Sequence, residues 1–168
     1  MGTVLAIADK LETIIGIWGV GLAPTGDKDP YALRRHALGI CRLLLEKNLP
    51  LNLMQLIGLA KQQFSNLALK VEIDEEVIYQ FILDRLKAYL KDQVIEGAAF
   101  SSAEIDAVLS THPDRINDLI ARLLAIRAFN QLPQANSLAS ANKRISNILK
   151  KVDGKLNADI NPSLLSIA

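Results

Sequence analysis

The chain has 168 residues, of which 50% are hydrophobic, 22% are charged and 5% are aromatic. This apolar content excludes a disordered low-complexity protein, and a chain of this length can bury a sizeable core. The formal net charge of +1 excludes a strong overall field that would draw the whole chain to a polyanion. Scarce aromatic residues with abundant Leu, Ala and Ile predict an all-α fold.

The single cysteine, Cys41, excludes an intramolecular disulfide and is typical of the reducing cytoplasm, which is the predicted location. The apolar runs are shorter than the roughly 18 residues of a membrane span, and the first residues do not have the pattern of a secretion signal. The apolar periodicity begins at once, without a capping residue before it. We therefore expect the chain to be cut from a longer protein.

In chain order, the first predicted helix covers residues 3–18, and a loop rich in Gly follows at 19–29. The second helix is predicted to begin with Asp29 as its N-cap and Pro30 at its first position, where the missing N–H costs nothing. It ends near Lys47, before Pro50. A third helix is predicted at about 52–64.

The fourth helix is predicted to follow an Asp74 N-cap, and Ser101 with Glu104 forms a capping-box pattern that opens a short helix to about Leu109. The next predicted helix begins around Thr111, Pro113 and Asp114 and runs to about residue 130. The last helix is predicted at 136–152, with Gly154 as its stop. The tail after it has no periodicity that predicts an element. About seven helices with short connections predict a helical bundle.

No motif in the sequence supports catalytic chemistry. His36 lies five residues before Cys41 and therefore not on the same helix face, so a buried structural thiol is the favoured interpretation. One Cys and two distant His give no zinc pattern. The glycines at 19–29 lack the Gly-Lys-Ser/Thr ending of a phosphate-binding loop. No catalytic residue is predicted.

The basic residues offer a clearer pattern. Lys143 and Lys150 are seven residues apart, as are Arg144 and Lys151, so on a helix both pairs recur every two turns on one side. The other side carries three apolar residues, Ile145, Ile148 and Leu149. Such a side is either a solvated helix face or a track for phosphates, which rows of Lys and Arg bind by releasing counterions.

Arg34 and Arg35 form a second basic pair in the first turns of the second helix, and Arg42 extends the row two turns after Arg35. By themselves these charges are more typical of a solvated face. Contacts to RNA, contacts to another domain and ion pairs with the acids of the 19–29 loop all stay open.

Two blocks of the sequence, and a shorter stretch between them, resemble segments of one known family. Residues 8–53, "ADKLETIIGIWGVGLAPTGDKDPYALRRHALGICRLLLEKNLPLNL", are similar to its A-D-K-L-D-T and P-T-G-S-K-D-P-F-A-L-R-R segments. Residues 139–151, "ASANKRISNILKK", resemble its A-N-K-R-V-x-N-I-L-K element, which is also similar to the DALR-type anticodon-binding domain of arginyl-tRNA synthetase. Residues 76–90 contain a D-R-L-K-x-Y-L motif that the family shares. The family that these segments resemble is the β subunit of bacterial tetrameric glycyl-tRNA synthetase. Glu12 and Trp18 stand where that family usually has Asp and Phe.

The resemblance implies a complete enzyme of composition α2β2 that ligates glycine to tRNA(Gly) in the cytoplasm. ATP and Mg²⁺ would be used in the α subunit, which holds the aminoacylation site, while the β subunit supplies tRNA recognition. This chain would be a C-terminal part of β without a cofactor of its own. Residues 1–20 would end an HD-like domain, and 21–168 would form the helical anticodon-binding domain, truncated at its C-terminus. Asp9 falls where HD phosphohydrolases place their last metal ligand, but the preceding ligands are absent, so no metal site is predicted.

The sequence and the resemblance leave two functions open. The first is a tRNA-binding module without catalytic residues of its own, with six candidate contacts to RNA: Arg34, Arg35, Lys143, Arg144, Lys150 and Lys151. The second is a helical subunit-docking module that binds no RNA; a remnant HD phosphohydrolase is a more distant alternative. If the domain is truncated, apolar faces of the segments 28–47 or 113–130 are expected to be uncovered, which predicts self-association or marginal stability.

Overall fold

The structure, a computed structural model, describes residues 1–65 and 73–151. The chain divides into two compact units, Met1–Arg127 and Ala128–Ala168. The described residues form seven helices and one hairpin of two short strands, which confirms the predicted all-α bundle. In chain order the elements are α1 (Gly2–Gly19), α2 (Leu33–Glu46), α3 (Leu53–Ser65), α4 (Glu75–Lys91), β1 (Val94–Ile95), β2 (Ala98–Ala99), α5 (Ser102–Leu109), α6 (Leu119–Asn130) and α7 (Ala135–Leu149).

The core of the first unit lies where α1 packs on α2 and α3, and where α4 packs on α2, α3 and α5. Each of these helices contributes aliphatic side chains with no exposed surface, among them Ile14, Ile15, Leu33, Ile40, Leu44, Leu53, Ile57, Ile78, Ile82, Leu86, Leu90 and Ile105. Burial of this apolar surface is the main force that holds the helices together. The predicted division of the chain at residue 20 stays a prediction; in the structure α1 and α2 share one core.

Two predicted helix starts are confirmed. The Asp74 side chain accepts a hydrogen bond from the backbone N–H of Glu76, 2.9 Å away. Ser101 and Glu104 form the reciprocal capping box, with the Glu104 carboxylate accepting from the Ser101 N–H at 2.7 Å. Local capping rules suffice at both positions because each cap lies within three residues of the N–H groups that it satisfies.

The predicted start of α2 is wrong by about three residues. The helix begins at Leu33, after Ala32, which has a left-handed backbone with φ 54°. Asp29 nevertheless satisfies the helix start, because its two carboxylate oxygens accept from the backbone N–H groups of Leu33 at 2.8 Å and Arg34 at 3.0 Å. The sequence therefore identifies the capping residue but not the turn that separates it from the helix.

The predicted start of α6 is also wrong, since the helix begins at Leu119 and not near residue 113. The preceding backbone has partners from distant parts of the chain: the Pro113 carbonyl accepts from the Tyr79 hydroxyl at 3.1 Å, and the Asp114 carbonyl accepts from the Leu53 N–H at 3.0 Å. These tertiary hydrogen bonds hold the segment in an irregular path and outweigh its local helix signals.

The short hairpin was not predicted. β1 and β2 pair antiparallel, with Val94 opposite Ala99 and Ile95 opposite Ala98, and their turn has positive φ at Glu96 and Gly97. Arg127 supports this hairpin by donating to the carbonyls of Ile95 at 3.2 Å, Ala98 at 3.4 Å and Ala99 at 2.8 Å. Its guanidinium also lies 4.2 Å from the centroid of the Phe100 ring. A side chain of α6 thus binds the hairpin to the helical core.

The second unit contains α7, which begins one residue before the prediction and ends at Leu149. The predicted end at residue 152, the Gly154 stop and the tail lie outside the described residues. In the described part of the chain, no helix combines the length and apolar character that crossing a membrane requires.

Candidate nucleic-acid interface

The basic side of α7 consists of Lys143, Arg144, Lys150 and Lys151, and all four side chains are exposed. Lys150 is the C-cap in right-handed helical conformation, with its N–H bonded to the Ser146 carbonyl at 3.1 Å. The helical phase therefore continues to the last two lysines, so the predicted spacing of seven residues places the four cations on one side.

No acidic side chain neutralises this side from within the helix, since residues 135–151 contain neither Asp nor Glu. None of the four cations forms an ion pair with another residue in the part of the chain that the structure describes. Lys150 and Lys151 also lie at the negative end of the helix dipole, which favours cations there without any ligand. Lys143 and Arg144, in the middle of the helix, do not have that explanation.

The opposite side of α7 is apolar and exposed. Leu138, Ile145, Ile148 and Leu149 have relative exposures of 55%, 55%, 62% and 45%. Ala135 is the one buried residue that the helix contributes. A helix with one basic and one apolar side, both uncovered in the described structure, has two separate surfaces for two kinds of contact.

Arg34 is tied to the preceding loop. Its side chain is half-buried, and its Nη2 donates a hydrogen bond to the carbonyl of Gly26. The same residue's backbone N–H is occupied by the Asp29 carboxylate. Both contacts hold the loop before α2 against the start of the helix, so Arg34 has a structural role that the sequence pattern did not reveal.

Arg35, in contrast, is exposed and lies on the face of α2 that continues through Gly39 to Arg42. Lys10 of α1 reaches this face: a Cβ added at Gly39 would lie 2.7 Å from the Lys10 Cε. The missing side chain at Gly39 thus leaves room for the lysine one turn after Arg35. Lys10 is a basic neighbour that sequence reasoning missed, because nothing local relates residues 10 and 39.

Arg42, the predicted extension of the row, is paired. Its Nε lies 2.7 Å from the Glu46 carboxylate, and the Tyr89 hydroxyl donates to the same carboxylate oxygen at 3.2 Å. The hydrogen bond from Arg42 lowers the pKa of Glu46, and burial is the main cause that raises the pKa of Tyr89. Arg42 is therefore a weaker candidate than Arg35 for binding an anion.

The six predicted residues thus fall into two groups: Arg34 and Arg35 on α2 in the first unit, and the other four on α7 in the second. The structure unites the α7 residues on one helix side. Arg34 and Arg35 have different roles, since Arg34 holds the preceding loop and Arg35 is exposed.

Cys41 and Asp9 are the residues that the sequence offers for catalysis and for metal binding. Cys41 is buried, its Sγ lies 3.6 Å from the Ile82 carbonyl, and burial raises the pKa of the thiol to about 12. Such a thiol does not form a nucleophilic thiolate near neutral pH. Asp9 is exposed on α1, and the described residues contain no group of three His, Cys, Asp or Glu side chains that could hold a metal ion.

Comparison with known proteins connects these features to a family. The family model described as "Glycyl-tRNA synthetase beta subunit" matches residues 1–110. The glycine–tRNA ligase beta subunits of Ralstonia nicotianae and Leptothrix cholodnii are 53% and 51% identical to this chain over 98% of its length. That of Dechloromonas aromatica is 46% identical over 100%. The matches span 22%, 22% and 23% of these relatives' own lengths. The chain belongs to the glycyl-tRNA synthetase beta subunit family.

Proposed function

We propose that this chain is a tRNA-recognition part of a glycine–tRNA ligase β subunit and that the basic side of α7 binds the phosphates of tRNA(Gly). The observation that carries this proposal is that Lys143, Arg144, Lys150 and Lys151 share one exposed helix side without an acidic residue. Membership of a family described as a glycyl-tRNA synthetase subunit supports a polyanionic partner for this surface.

The mechanism is electrostatic positioning. In each basic row of α7 the two cations are seven residues apart, which is two helical turns or about 10 Å along the helix axis. The rows can therefore contact successive phosphates along an RNA backbone. Each neutralised phosphate releases condensed counterions and stabilises the complex. Reading of the anticodon bases, by stacking and hydrogen bonds to unstacked nucleotides, would fall to other side chains. Arg35, with Lys10 against Gly39 one turn further along α2, forms the second candidate contact, and Arg34 contributes by fixing the loop.

The whole-enzyme setting is part of the same proposal. The chain would act in a cytoplasmic α2β2 ligase in which the α subunit uses ATP and Mg²⁺ to attach glycine to tRNA(Gly). No step of that chemistry is assigned to residues of this chain, since the described residues include no suitable group of ligands or nucleophile.

A docking module without RNA contacts is the second candidate. The exposed apolar side of α7, formed by Leu138, Ile145, Ile148 and Leu149, favours it, because such a side is suited to protein packing. Both functions can coexist on one helix, since RNA would use the basic side and protein the apolar side. The experiment must therefore test RNA binding itself.

The proposal is tested by titrating fluorescent tRNA(Gly) with the chain at several salt concentrations. We expect affinity to fall steeply with salt. Changing Lys150 and Lys151 together to Ala should lower the slope of log K against log salt by about 1.4–1.8 if both contact phosphates. No binding at low salt would contradict the proposal. An unchanged slope in the double variant would return Lys150 and Lys151 to a solvated helix face without phosphate contacts.

The matched control removes the same charge elsewhere. Lys87 lies in an ion pair with Asp106, and Arg122 lies 2.8 Å from Asp118, so their charges are already compensated. The double variant Lys87→Ala with Arg122→Ala should keep the salt slope of the unchanged chain. An equal loss of slope in this control would mean that only net charge matters, and it would contradict a defined track on α7.

A further inference from the structure

An apolar groove with a volume of about 1000 Å³ is lined by residues of α1, α3 and the segment 49–51. Four of its aliphatic residues are exposed: Val4 and Leu5 at 72% each, Leu59 at 57% and Leu51 at 38%. This is not the uncovered surface that the sequence predicted, since the segments 28–47 and 113–130 expose only Tyr31 and Phe129 among their large apolar side chains. The surplus apolar surface lies on α1 and α3.

Helix α1 is apolar on more sides than its contacts in this chain require. Ile14 and Ile15 are fully buried in the core, whereas Val4 and Leu5, in the first turns, contact solvent. A helix that is apolar around much of its circumference is typical of one surrounded by protein. One side of α1 packs against the core, and the side that faces the groove has no partner among the described residues.

The charges of the groove indicate what it can accept. The residues that line it include the acidic Asp9 and Glu12 and no Lys or Arg. An RNA backbone would be repelled from these acids, so the groove is unsuited to the ligand proposed for α7. A helix that places an apolar stripe in the groove and Lys or Arg beside the two carboxylates would complement it.

We propose that this groove is an internal interface of the β polypeptide, filled by an amphipathic helix with a basic rim from a part of the polypeptide outside these 168 residues. The relatives support this occupant, since this chain spans only 22% of the length of the Ralstonia nicotianae protein. This inference rests on family membership and is independent of the proposed RNA binding.

A second copy of the chain is a poorer occupant. Stable dimers bury about 800 Å² per partner with about 20–30 residues a side, far more than the few exposed side chains of this groove supply. A segment of the same polypeptide needs no such area, because covalent connection gives it a high effective concentration.

The test compares cysteine labelling in two chains. Val4→Cys and Leu59→Cys place thiols at exposed groove positions, and the native Cys41 is buried and gives little background. In the 168-residue chain both new thiols should react rapidly with a maleimide. In a β polypeptide of the relatives' full length, their labelling should be slower by about tenfold or more, as for groups that react only after local opening. Ala107→Cys, on the exposed side of α5, is the control for general reactivity.

Each other outcome would overturn the proposal. Equal labelling rates in the two chains would mean that the groove stays open. Protection in the 168-residue chain that rises with its concentration would assign the groove to a second copy. Protection of the full-length polypeptide only after the α subunit is added would assign it to that subunit. Addition of tRNA(Gly) should leave the labelling rates unchanged, so a failure of RNA binding and a failure of this inference give separate signals.

Discussion

The two units of this chain use similar residues in opposite ways. In Met1–Arg127 large aliphatic side chains of several helices are buried in one core, and cations such as Lys61, Lys87 and Arg122 lie within ion-pair distance of acids. In α7 of the second unit, aliphatic residues and cations are both exposed, and the helix carries no acid. The comparison indicates that the first unit is organised by its own core, whereas α7 is organised for contacts with other molecules or segments.

The largest expected effect tests the buried side of this comparison. Leu86 of α4 has no exposed surface, so Leu86→Ala should lower the free energy of unfolding of the first unit by about 2–5 kcal/mol. Urea unfolding followed by the fluorescence of Trp18, whose ring centroid lies 4.9 Å from that of Phe81, measures the change. In α7, Ile148→Ala should change the free energy of unfolding by less than about 0.5 kcal/mol, because Ile148 is 62% exposed. A comparable loss in both variants would contradict the contrast.

Alkaline pH should lower the stability of the first unit, because that unit buries groups that titrate there. Burial raises the pKa of Cys41 from 9.0 to about 12, so above pH 9 the unfolded chain loses a proton that the folded first unit keeps. Stability should therefore fall with rising pH, by about 1 kcal/mol per unit from this group. Burial, with the nearby charges of Glu76 and Asp114, also raises the pKa of Tyr79 from 10.0 to about 12, which acts in the same direction.

The measurement is the urea midpoint between pH 8 and pH 11, again from Trp18 fluorescence. Cys41→Ala should flatten the pH dependence, whatever the variant costs in absolute stability at pH 8. If the variant and the unchanged chain lose stability with the same slope, the thiol is not protected from ionisation in the folded unit.

The smallest expected effects distinguish the two arginines of α2. Arg34 donates to the Gly26 carbonyl, so Arg34→Ala should cost about 1 kcal/mol, the usual net value of one hydrogen bond. Arg35→Ala, at an exposed position, should stay within about 0.5 kcal/mol. Titration of tRNA(Gly) should rank them in reverse, with a reduced salt slope only for Arg35→Ala. A lower slope for Arg34→Ala alone would assign the RNA contact to Arg34.

Much of the fold could be predicted because its signals are local. The apolar spacing of α1, α2 and α4 and the caps at Asp74 and Ser101 depend on residues within one or two turns of each other. The start of α6 could not be predicted, because the Tyr79 hydroxyl and the Leu53 N–H hold its preceding segment from distant positions. The hairpin escaped prediction since strands of two residues show no alternation.

The candidate site divides in the same manner. The basic side of α7 follows from helix phase alone, so the four cations Lys143, Arg144, Lys150 and Lys151 could be placed on one side from their spacing. The role of Arg34 as a loop anchor and the arrival of Lys10 at Gly39 depend on tertiary contacts, which no spacing rule contains. The groove lined by α1 and α3 likewise depends on which faces the packing leaves open.

The contact of Arg127 with the hairpin has a consequence for how this family can change. Arg127 recognises three main-chain carbonyls of the hairpin and no side chain of its strands. Mutations at Val94 or Ala98, both exposed, would therefore leave that recognition intact, while Gly97 is constrained by its φ of 79°. Lysine could not replace the arginine, since one ammonium lacks the planar fork that reaches several carbonyls at once. Val94 and Ala98 are thus positions where we expect side chains to vary at little cost, provided that the Arg127 guanidinium is kept.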